Sequence, residues 1–241
     1  MTRFGDAPVL VFCDHASNFI PDEMDGLGIH EGLLQTHIAW DIGAGPLSLN
    51  LASGLNGAAF LCTTSRLVLD VNRHPDAKDI IPLTTDNIEI AGNQNLNPEQ
   101  HQRRIADFHT SYHAALANEI DALTIASNTP FVLSIHSFTD RLMGSHETRP
   151  WEVGVLWRHD EPSARSFMEL LAGARPDWTI GDNEPYSAFD LNYTADYHLA
   201  PRGLRHLALE IRQDLIGDKD GITTIAEILL PIIKQVVSEN R

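Results

Sequence analysis

Three apolar segments of this chain lead into side chains that can bind metal ions or transfer protons. The segment VLVFCD leads to His15, FVLSIH ends in His136, and HLALE ends in Glu210. Each segment has the continuous apolar pattern of a strand buried on both faces of a sheet. Unpaired titratable groups are costly to bury, so these groups need partners at the strand ends. Because ligands of open α/β sheets bind at the carboxyl ends of strands, we expect one shared site.

Two histidines and a glutamate in one site are typical of metal-assisted hydrolysis. The imidazoles of His15 and His136 can bind Zn²⁺, which needs a third protein ligand and keeps one position open for water. A glutamate close to the metal, but not bound to it, can accept the proton of that water. We therefore predict a Zn²⁺ site with Glu210 as catalytic base. The alternative for Glu210 is a structural salt bridge with Arg212, two residues along on the same face.

Arginines follow these segments, although the chain as a whole is acidic. The candidates are Arg66, Asn72 and Arg73 in SRLVLDVNR, Arg141 and Arg149 after His136, and Arg212 after Glu210. Guanidinium groups form bidentate hydrogen bonds with carboxylates, so this set suits a small anionic substrate. The loop GDNEPYS adds Asn183 and Tyr186 as candidate contacts. A structural ion pair between Asp70 and one of the arginines is the competing interpretation.

Two other groups could carry different chemistry. Cys13 and His15 lie on the same face of one strand and could form a nucleophile and its base. His109 and His113, at positions i and i+4 of a predicted helix, could bind a metal as a pair. That pair lacks the glutamate of an H-E-x-x-H motif and lies in a helix with its own apolar stripe, so a structural role is favoured.

The elements that must position these residues alternate along the chain. Strands are predicted over 8–14, 131–138, 152–158 and 206–212, and AAFLCTT and RLVLDVN have the pattern of strands or extended segments. Helical patterns cover 31–54, with an interruption at DIGAGP, and then 98–126, 162–173 and 221–240. This alternation predicts a single α/β domain over residues 1–241, with a mixed, mainly parallel sheet covered on both faces.

The composition limits the kinds of molecule that this protein is expected to bind. Lys and Arg total 17 against 33 Asp and Glu, giving a formal net charge of −16 that repels nucleic acid backbones and anionic lipids. The two cysteines exclude a disulfide scaffold and predict reduced thiols. The sequence shows neither an 18-residue apolar run nor a signal-peptide pattern, so we expect a cytoplasmic protein that binds no membrane. Oligomeric state is not predicted.

Four segments in order resemble the N-formylglutamate amidohydrolase family: HASNFIP, SRLVLDVNR, SIHSF and LALEIRQD. The DVNR segment is also similar to the D-L-N-R of aspartoacylase and succinylglutamate desuccinylase, relatives in the zinc carboxypeptidase-like group. The resemblance implies a three-layer α/β/α hydrolase of the zinc carboxypeptidase/phosphorylase-hydrolase-like type, with Zn²⁺ as cofactor. It also implies removal of an acyl group from an N-acyl amino acid such as N-formylglutamate, with Asn72 and Arg73 holding the carboxylate.

The third metal ligand departs from the carboxypeptidase-like pattern, in which a glutamate follows the first histidine after two residues. Asn18 stands at that position here, and its neutral amide is a poor zinc ligand. By resemblance, Asp41 in HIAWDIG is the expected substitute, His37 is its competitor, and Asn18 receives a hydrogen-bonding role. The alternative functions are hydrolysis of another acylated amino acid or peptide-like amide, and non-catalytic binding of a metal or anion.

Overall fold

A seven-stranded sheet forms the centre of the molecule, which a computed structural model describes for residues 1–239. The strands are β1 (Thr2–Arg3), β2 (Val9–Cys13), β3 (Ala58–Leu61), β4 (Thr84–Thr85), β5 (Ile88–Glu89), β6 (Phe131–Phe138), β7 (Val153–Leu156), β8 (Ile180–Asp182) and β9 (Arg205–Arg212). The sheet has the order β1-β3-β2-β6-β9-β7-β8, and β4 and β5 form a separate hairpin. Strands β3, β2, β6 and β9 are parallel, whereas β1 and β7 run antiparallel to their inner neighbours. The sheet is therefore mixed and mainly parallel, as predicted.

Six α-helices surround this sheet. They are α1 (Ala44–Gly54), α2 (Pro98–Arg104), α3 (Ser111–Ala126), α4 (Glu161–Ala174), α5 (Tyr193–His198) and α6 (Lys219–Ser238). The π-helical segment Ile105–Thr110 joins α2 to α3, so 98–126 is helical throughout, as predicted. The last predicted helix extends to Asn240, which lies outside the described residues, as does the end of the predicted domain 1–241.

The two faces of the sheet bury separate cores. Along β2, Val9 and Val11 pack on the face covered by α1, α4 and α6, whereas Leu10 and Phe12 pack on the face covered by α3 and α5. This alternation follows from the two-residue period of a strand. The architecture is the three-layer α/β/α arrangement that the resemblance implies.

Two predicted regular segments differ in the structure. Residues 66–72 (RLVLDVN) form buried turns rather than a strand, because the main-chain amides there bond locally or to the next turn, as Asp70 does to Ile80. The helical stretch predicted over 31–54 forms only in part: Glu31–Gln35 is a short 3₁₀ helix, and α1 begins at Ala44. Gly43 before it has a φ of 78°, and a Cβ there would lie 2.0 Å from the carbonyl oxygen of Ile216, so the chain turns sharply at this point.

Helix α6 is long and apolar enough to cross a membrane, judged by length and composition alone, and no other described helix meets that test. Its Ile225, Leu229 and Ile233 belong to the same core as the sheet and α1. The core helix of a globular domain meets the same criteria, so this feature is weak evidence for a membrane span.

Candidate functional site

Parallel pairing of the central strands places the predicted chemical groups side by side. His136 on β6 lies opposite Glu210 on β9 in the register of the two strands. His15 follows the adjacent strand β2 by two residues, and its carbonyl oxygen accepts a hydrogen bond from the Asp41 amide at 2.9 Å. All four residues line one cavity of about 380 Å³ at the carboxyl ends of these strands.

The centre of this cavity is a buried group formed by His15, Asp41 and His136. The carboxylate oxygen Oδ2 of Asp41 lies 3.3 Å from Nδ1 of His15 and 2.8 Å from Nδ1 of His136. One potential ligand atom from each residue lies within 4.8 Å of the others, so the group could hold a metal ion. No second group of this kind occurs within residues 1–239.

The outer ring nitrogens of both histidines face carboxylates. Nε2 of His15 lies 2.7 Å from Oδ1 of Asp70, and Nε2 of His136 lies 3.5 Å from Oδ2 of Asp14. Metal-binding histidines commonly have such a carboxylate behind them, because it fixes the tautomer and leaves the other nitrogen for the metal. The donor set and its supports are therefore of the kind that could hold a metal ion between His15, Asp41 and His136.

Asp14 and Asp70 are supported in turn by further hydrogen bonds. Asp14 accepts hydrogen bonds from the hydroxyls of Tyr112, at 2.7 Å, and Thr194, at 3.1 Å. Asp70 accepts one from Arg66 at 2.7 Å. Burial favours protonation of Asp70, but Arg66 and His15 outweigh it and hold the pKa of that carboxyl well below its usual value.

Glu210 differs from the aspartates of this network, because its buried Oε2 has no hydrogen-bond partner among the described residues. Oδ2 of Asp14 also lacks one, but Asp14 accepts two hydrogen bonds through Oδ1. Burial raises the pKa of Glu210 to about 7, with the charge of Asp41 adding to the effect and that of His136 opposing it. The salt bridge proposed as its alternative does not form, since Arg212 pairs with Glu152 at 2.9 Å and Asp214 at 2.8 Å. Glu210 is thus a carboxyl group free to exchange a proton.

Four of the predicted substrate contacts line the cavity: Arg66, Asn72, Arg73 and Tyr186. Arg66 is committed to Asp41 and Asp70, at 3.4 Å and 2.7 Å, and so neutralises the carboxylates around the histidines. Arg73 is less constrained, with an ion pair of 3.3 Å to the exposed Asp79 and a longer one of 3.9 Å to Asp70. Arg73 is therefore the cavity arginine best able to reach a substrate.

The other predicted substrate contacts do not line the cavity: Asn18, Arg141, Arg149, Asn183 and Arg212. The amide of Asn18 donates to the carbonyl of Leu34, the carboxamide of Asn183 bonds the backbone at Trp157 and Ala188, and Arg141 is exposed. Arg149 donates to the hydroxyl of Tyr186, which does line the cavity. Arg149 therefore supports the cavity wall from behind.

The residues named as alternative metal ligands or nucleophile have structural roles. His37 bonds Asp86 at 3.1 Å instead of joining His15 and His136. Cys13 is fully buried, and burial raises its pKa well above the ordinary value, so it stays a thiol. His109 and His113 each place a ring nitrogen 2.8–3.0 Å from a backbone carbonyl, of Arg73 and Val71 respectively.

Several cavity residues carry no chemical pattern in the sequence. They come from loops, turns and the short strand β4: Asp79, Thr84, Thr85, Asp86, Thr139, Leu142, Leu191 and Asn192. The ion pair predicted between Asp70 and an arginine forms with Arg66. Sequence reasoning did not identify Asp70 or Asp14 as supports of the two histidines. The available signal was that each lies within two residues of a predicted site residue, in VFCDH and in LDVNR.

Comparison with known proteins connects this site to a family. The family model of N-formylglutamate amidohydrolase matches residues 7–217. A crystallised gene product of Agrobacterium tumefaciens is 31% identical with a TM-score of 0.90, and the match covers 97% of this chain and 92% of that one. The N-formylglutamate amidohydrolase of Ralstonia eutropha JMP134 shares the fold at 17% identity and a TM-score of 0.62, over 97% and 93% of the two chains. No curated protein matches significantly. The chain belongs to the N-formylglutamate amidohydrolase family.

Proposed function

We propose that this protein is a Zn²⁺-dependent amidohydrolase that removes the acyl group from a small anionic N-acyl amino acid, with N-formylglutamate as the leading substrate. Family membership supports the amidohydrolase class. The observation that carries the proposal is the unpartnered, buried carboxyl of Glu210 beside the group formed by His15, Asp41 and His136. We further propose that it acts as a single domain in the cytoplasm, where its two free cysteines would stay reduced.

His15, Asp41 and His136 would hold the metal. When bound, Zn²⁺ supplies Lewis-acid catalysis, polarising the amide carbonyl and making water a stronger acid. Asp70 and Asp14 orient the two imidazoles from behind.

Glu210 would move the proton in this reaction. Its carboxylate accepts a proton from water as the water oxygen bonds to the acyl carbon. It then returns the proton to the amide nitrogen as the carbon–nitrogen bond breaks, which releases a carboxylic acid and a free amine. A positioned acid–base group of this kind contributes roughly 10²- to 10⁴-fold to the rate.

Arg73 and Asn72 would hold the carboxylate of the amino acid. Both line the cavity, and Arg73 presents a partly exposed guanidinium suited to bidentate carboxylate binding. A cavity of about 380 Å³ suits a small molecule. A non-catalytic metal or anion binder would have no need of a buried, unpaired base, so Glu210 favours the enzyme.

The experiment measures metal content and amine release together. We expect the purified protein to bind one equivalent of Zn²⁺ and to release amine from N-formyl amino acids, N-formylglutamate fastest, and more slowly from N-acetyl and N-succinyl analogues. His15→Ala and His136→Ala should each lose most of the metal and the activity. His146→Ala, at an exposed position, is the control and should keep both. Full metal content in either site variant would contradict the proposed centre.

A further inference from the structure

Asn192 lies immediately before α5 and lines the cavity with Leu191. Its exposed fraction is 9%, and its side-chain nitrogen Nδ2 is completely buried. That nitrogen has no hydrogen-bond partner within residues 1–239. Buried carboxamide donors are almost always paired, because leaving one unpaired is costly, so this one requires an explanation.

Asn192 does not form the capping hydrogen bond that its position before the helix would allow. Asn192 is the N-cap residue of α5, where asparagine normally accepts a hydrogen bond from a main-chain amide of the first turn. Its side chain makes no such bond. Instead, the amide of Thr194 donates to Oδ1 of Asn72 at 2.9 Å. Asn72 thus caps the helix from another segment, and Nδ2 of Asn192, a residue of the cavity lining, is left without a partner among the described residues.

The position of Asn192 relates it to Arg73 rather than to the metal-binding group. Asn72, Arg73 and Asn192 line both the main cavity and an adjoining cavity of about 260 Å³. His15, Asp41, His136 and Glu210 line only the main cavity. Asn192 therefore stands at the end of the site where Asn72 and Arg73 would hold the substrate carboxylate.

We propose that Asn192 is a specificity-determining residue, whose Nδ2 group donates a hydrogen bond to the substrate carboxylate held by Arg73. This inference rests on the proposed function. A carboxylate has about four acceptor positions, and a bidentate arginine uses two of them, so a further donor can bind. Sites built around a polar partner reject analogues that leave it unpaired, so a neutral, amidated substrate should be discriminated against.

The test compares Asn192→Ala and Asn192→Asp with the parent enzyme on N-formylglutamate and its amidated analogue. We expect Asn192→Ala to raise KM roughly 10- to 100-fold with kcat changed only a few-fold, because a hydrogen bond to a charged group is lost. Asn192→Asp should raise KM further, since its carboxylate would repel that of the substrate. The preference of Asn192→Ala for the free acid over the amide should fall by a similar factor.

Thermal unfolding without ligand separates substrate recognition from a structural role. Asn192→Ala removes an unpaired donor, so its Tm should equal or exceed that of the parent. Asn183→Ala is the matched control and should lower Tm, because the Asn183 carboxamide bonds the backbone at Trp157 and Ala188. A drop in Tm for Asn192→Ala as large as that of the control would overturn the inference.

The remaining outcomes are also decisive. If the parent hydrolyses N-formylglutamate and both Asn192 variants keep its KM, the inference fails while the proposed function stands. If the parent hydrolyses none of the N-acyl amino acids, the proposed function fails. The variants are then compared by calorimetric titration with L-glutamate: affinity unchanged in Asn192→Ala, or no binding by the parent, overturns the inference.

Discussion

Glu210 illustrates how burial alone can prepare a residue for chemistry. Every other carboxylate around the two histidines has a close cationic or hydroxyl partner, but Oε2 of Glu210 has none among the described residues. We predict that Glu210→Gln keeps its Zn²⁺ and near-normal KM, while kcat falls at least about 100-fold, because the amide cannot accept a proton. Steady-state kinetics and metal analysis on the same preparation provide the measurement.

Glu169→Gln is the control for this substitution, since Glu169 is exposed on α4. It should retain the parent kcat. A parent-like rate in Glu210→Gln would remove Glu210 from the reaction. Loss of the metal in that variant would instead identify Glu210 as a ligand.

Arg73 differs from Arg66 in the ion pairs that its guanidinium group already forms. Arg66 bridges Asp41 and Asp70, whereas Arg73 pairs with the exposed Asp79 at 3.3 Å and approaches Asp70 only to 3.9 Å. We predict that Arg73→Ala weakens binding of the acidic substrate by about 2–5 kcal/mol, the range for removing one partner of a charge pair at an interface. Calorimetric titration of the metal-loaded Glu210→Gln variant, with and without Arg73→Ala, measures this loss without turnover.

Arg165→Ala is the matched control for that experiment, because Arg165 is a surface arginine paired with Glu161 and Asp182. It should leave affinity unchanged. Equal affinity of the parent site for the free acid and its amide would contradict a carboxylate pocket around Arg73.

At the scale of elements, helix α3 and the π-helical segment before it fix the irregular segment that carries Asn72 and Arg73. His113 and His109 bond the carbonyls of Val71 and Arg73, which flank Asn72 on both sides. Nδ1 of His113 also lies 2.8 Å from Nε2 of His198, and this contact ties α3 to α5. A buried segment without strand pairing needs such partners for its main-chain carbonyls.

This arrangement predicts acid sensitivity of stability. Burial lowers the pKa of both His113 and His198 to about 4. An unfolded histidine has a pKa near 6.5, so the unfolded chain binds more protons between these values. The stability of the folded state is therefore lost as pH falls from about 6.5 to about 4. His198→Phe should make the loss between about pH 7 and pH 4.5 smaller by about 2 kcal/mol, measured by urea unfolding.

The control for that prediction is His146→Phe, an exposed position that should leave the pH dependence of unfolding unchanged. An identical pH dependence in the parent and in His198→Phe would contradict the buried, neutral histidine pair.

The elements predicted most accurately are those in which the hydrophobic pattern of the sequence agrees with the packing in the fold. Segments 131–138 and 206–212 have continuous apolar patterns, and they form β6 and β9 with His136 and Glu210 in register. Residues 66–72 also have an apolar pattern but pair with no strand. Leu69 and Val71 are buried against α3 and α5, whereas Leu67 and Val68 belong to a separate core, and neither burial requires strand hydrogen bonds. Apolar character predicts burial, and tertiary neighbours decide the backbone conformation.

Side-chain direction explains the remaining differences at the site. Arg141 and Arg212 are close in the sequence to His136 and Glu210. In the structure, however, Arg141 is exposed and Arg212 forms ion pairs with Glu152 and Asp214. Asp14 and Asp70 contribute to the site through hydrogen bonds with residues 55 to 180 positions away in the sequence. Local spacing contains no information about such contacts.

At the scale of the whole molecule, the proposed metal site joins segments that are far apart in the chain. His15 follows β2, Asp41 precedes α1, and His136 lies within β6. One ion would therefore connect the end of β2 and the start of α1 to β6. Ligands this distant cannot form the site in the unfolded chain. The metal should therefore bind the folded state almost exclusively, and stabilise the entire fold rather than one loop.

This linkage gives the last prediction. Free Zn²⁺ at a thousandfold excess over its Kd should stabilise the parent by about 4 kcal/mol, which corresponds to roughly 2–4 °C in Tm for each kcal/mol in a domain of this size. Chelation should reverse the gain, and the Tm of His136→Ala should not respond to Zn²⁺. His146→Ala, which keeps the site, should respond like the parent. A parent Tm that is the same with Zn²⁺ and with chelator would show that no ion links these segments, whatever activity the protein has.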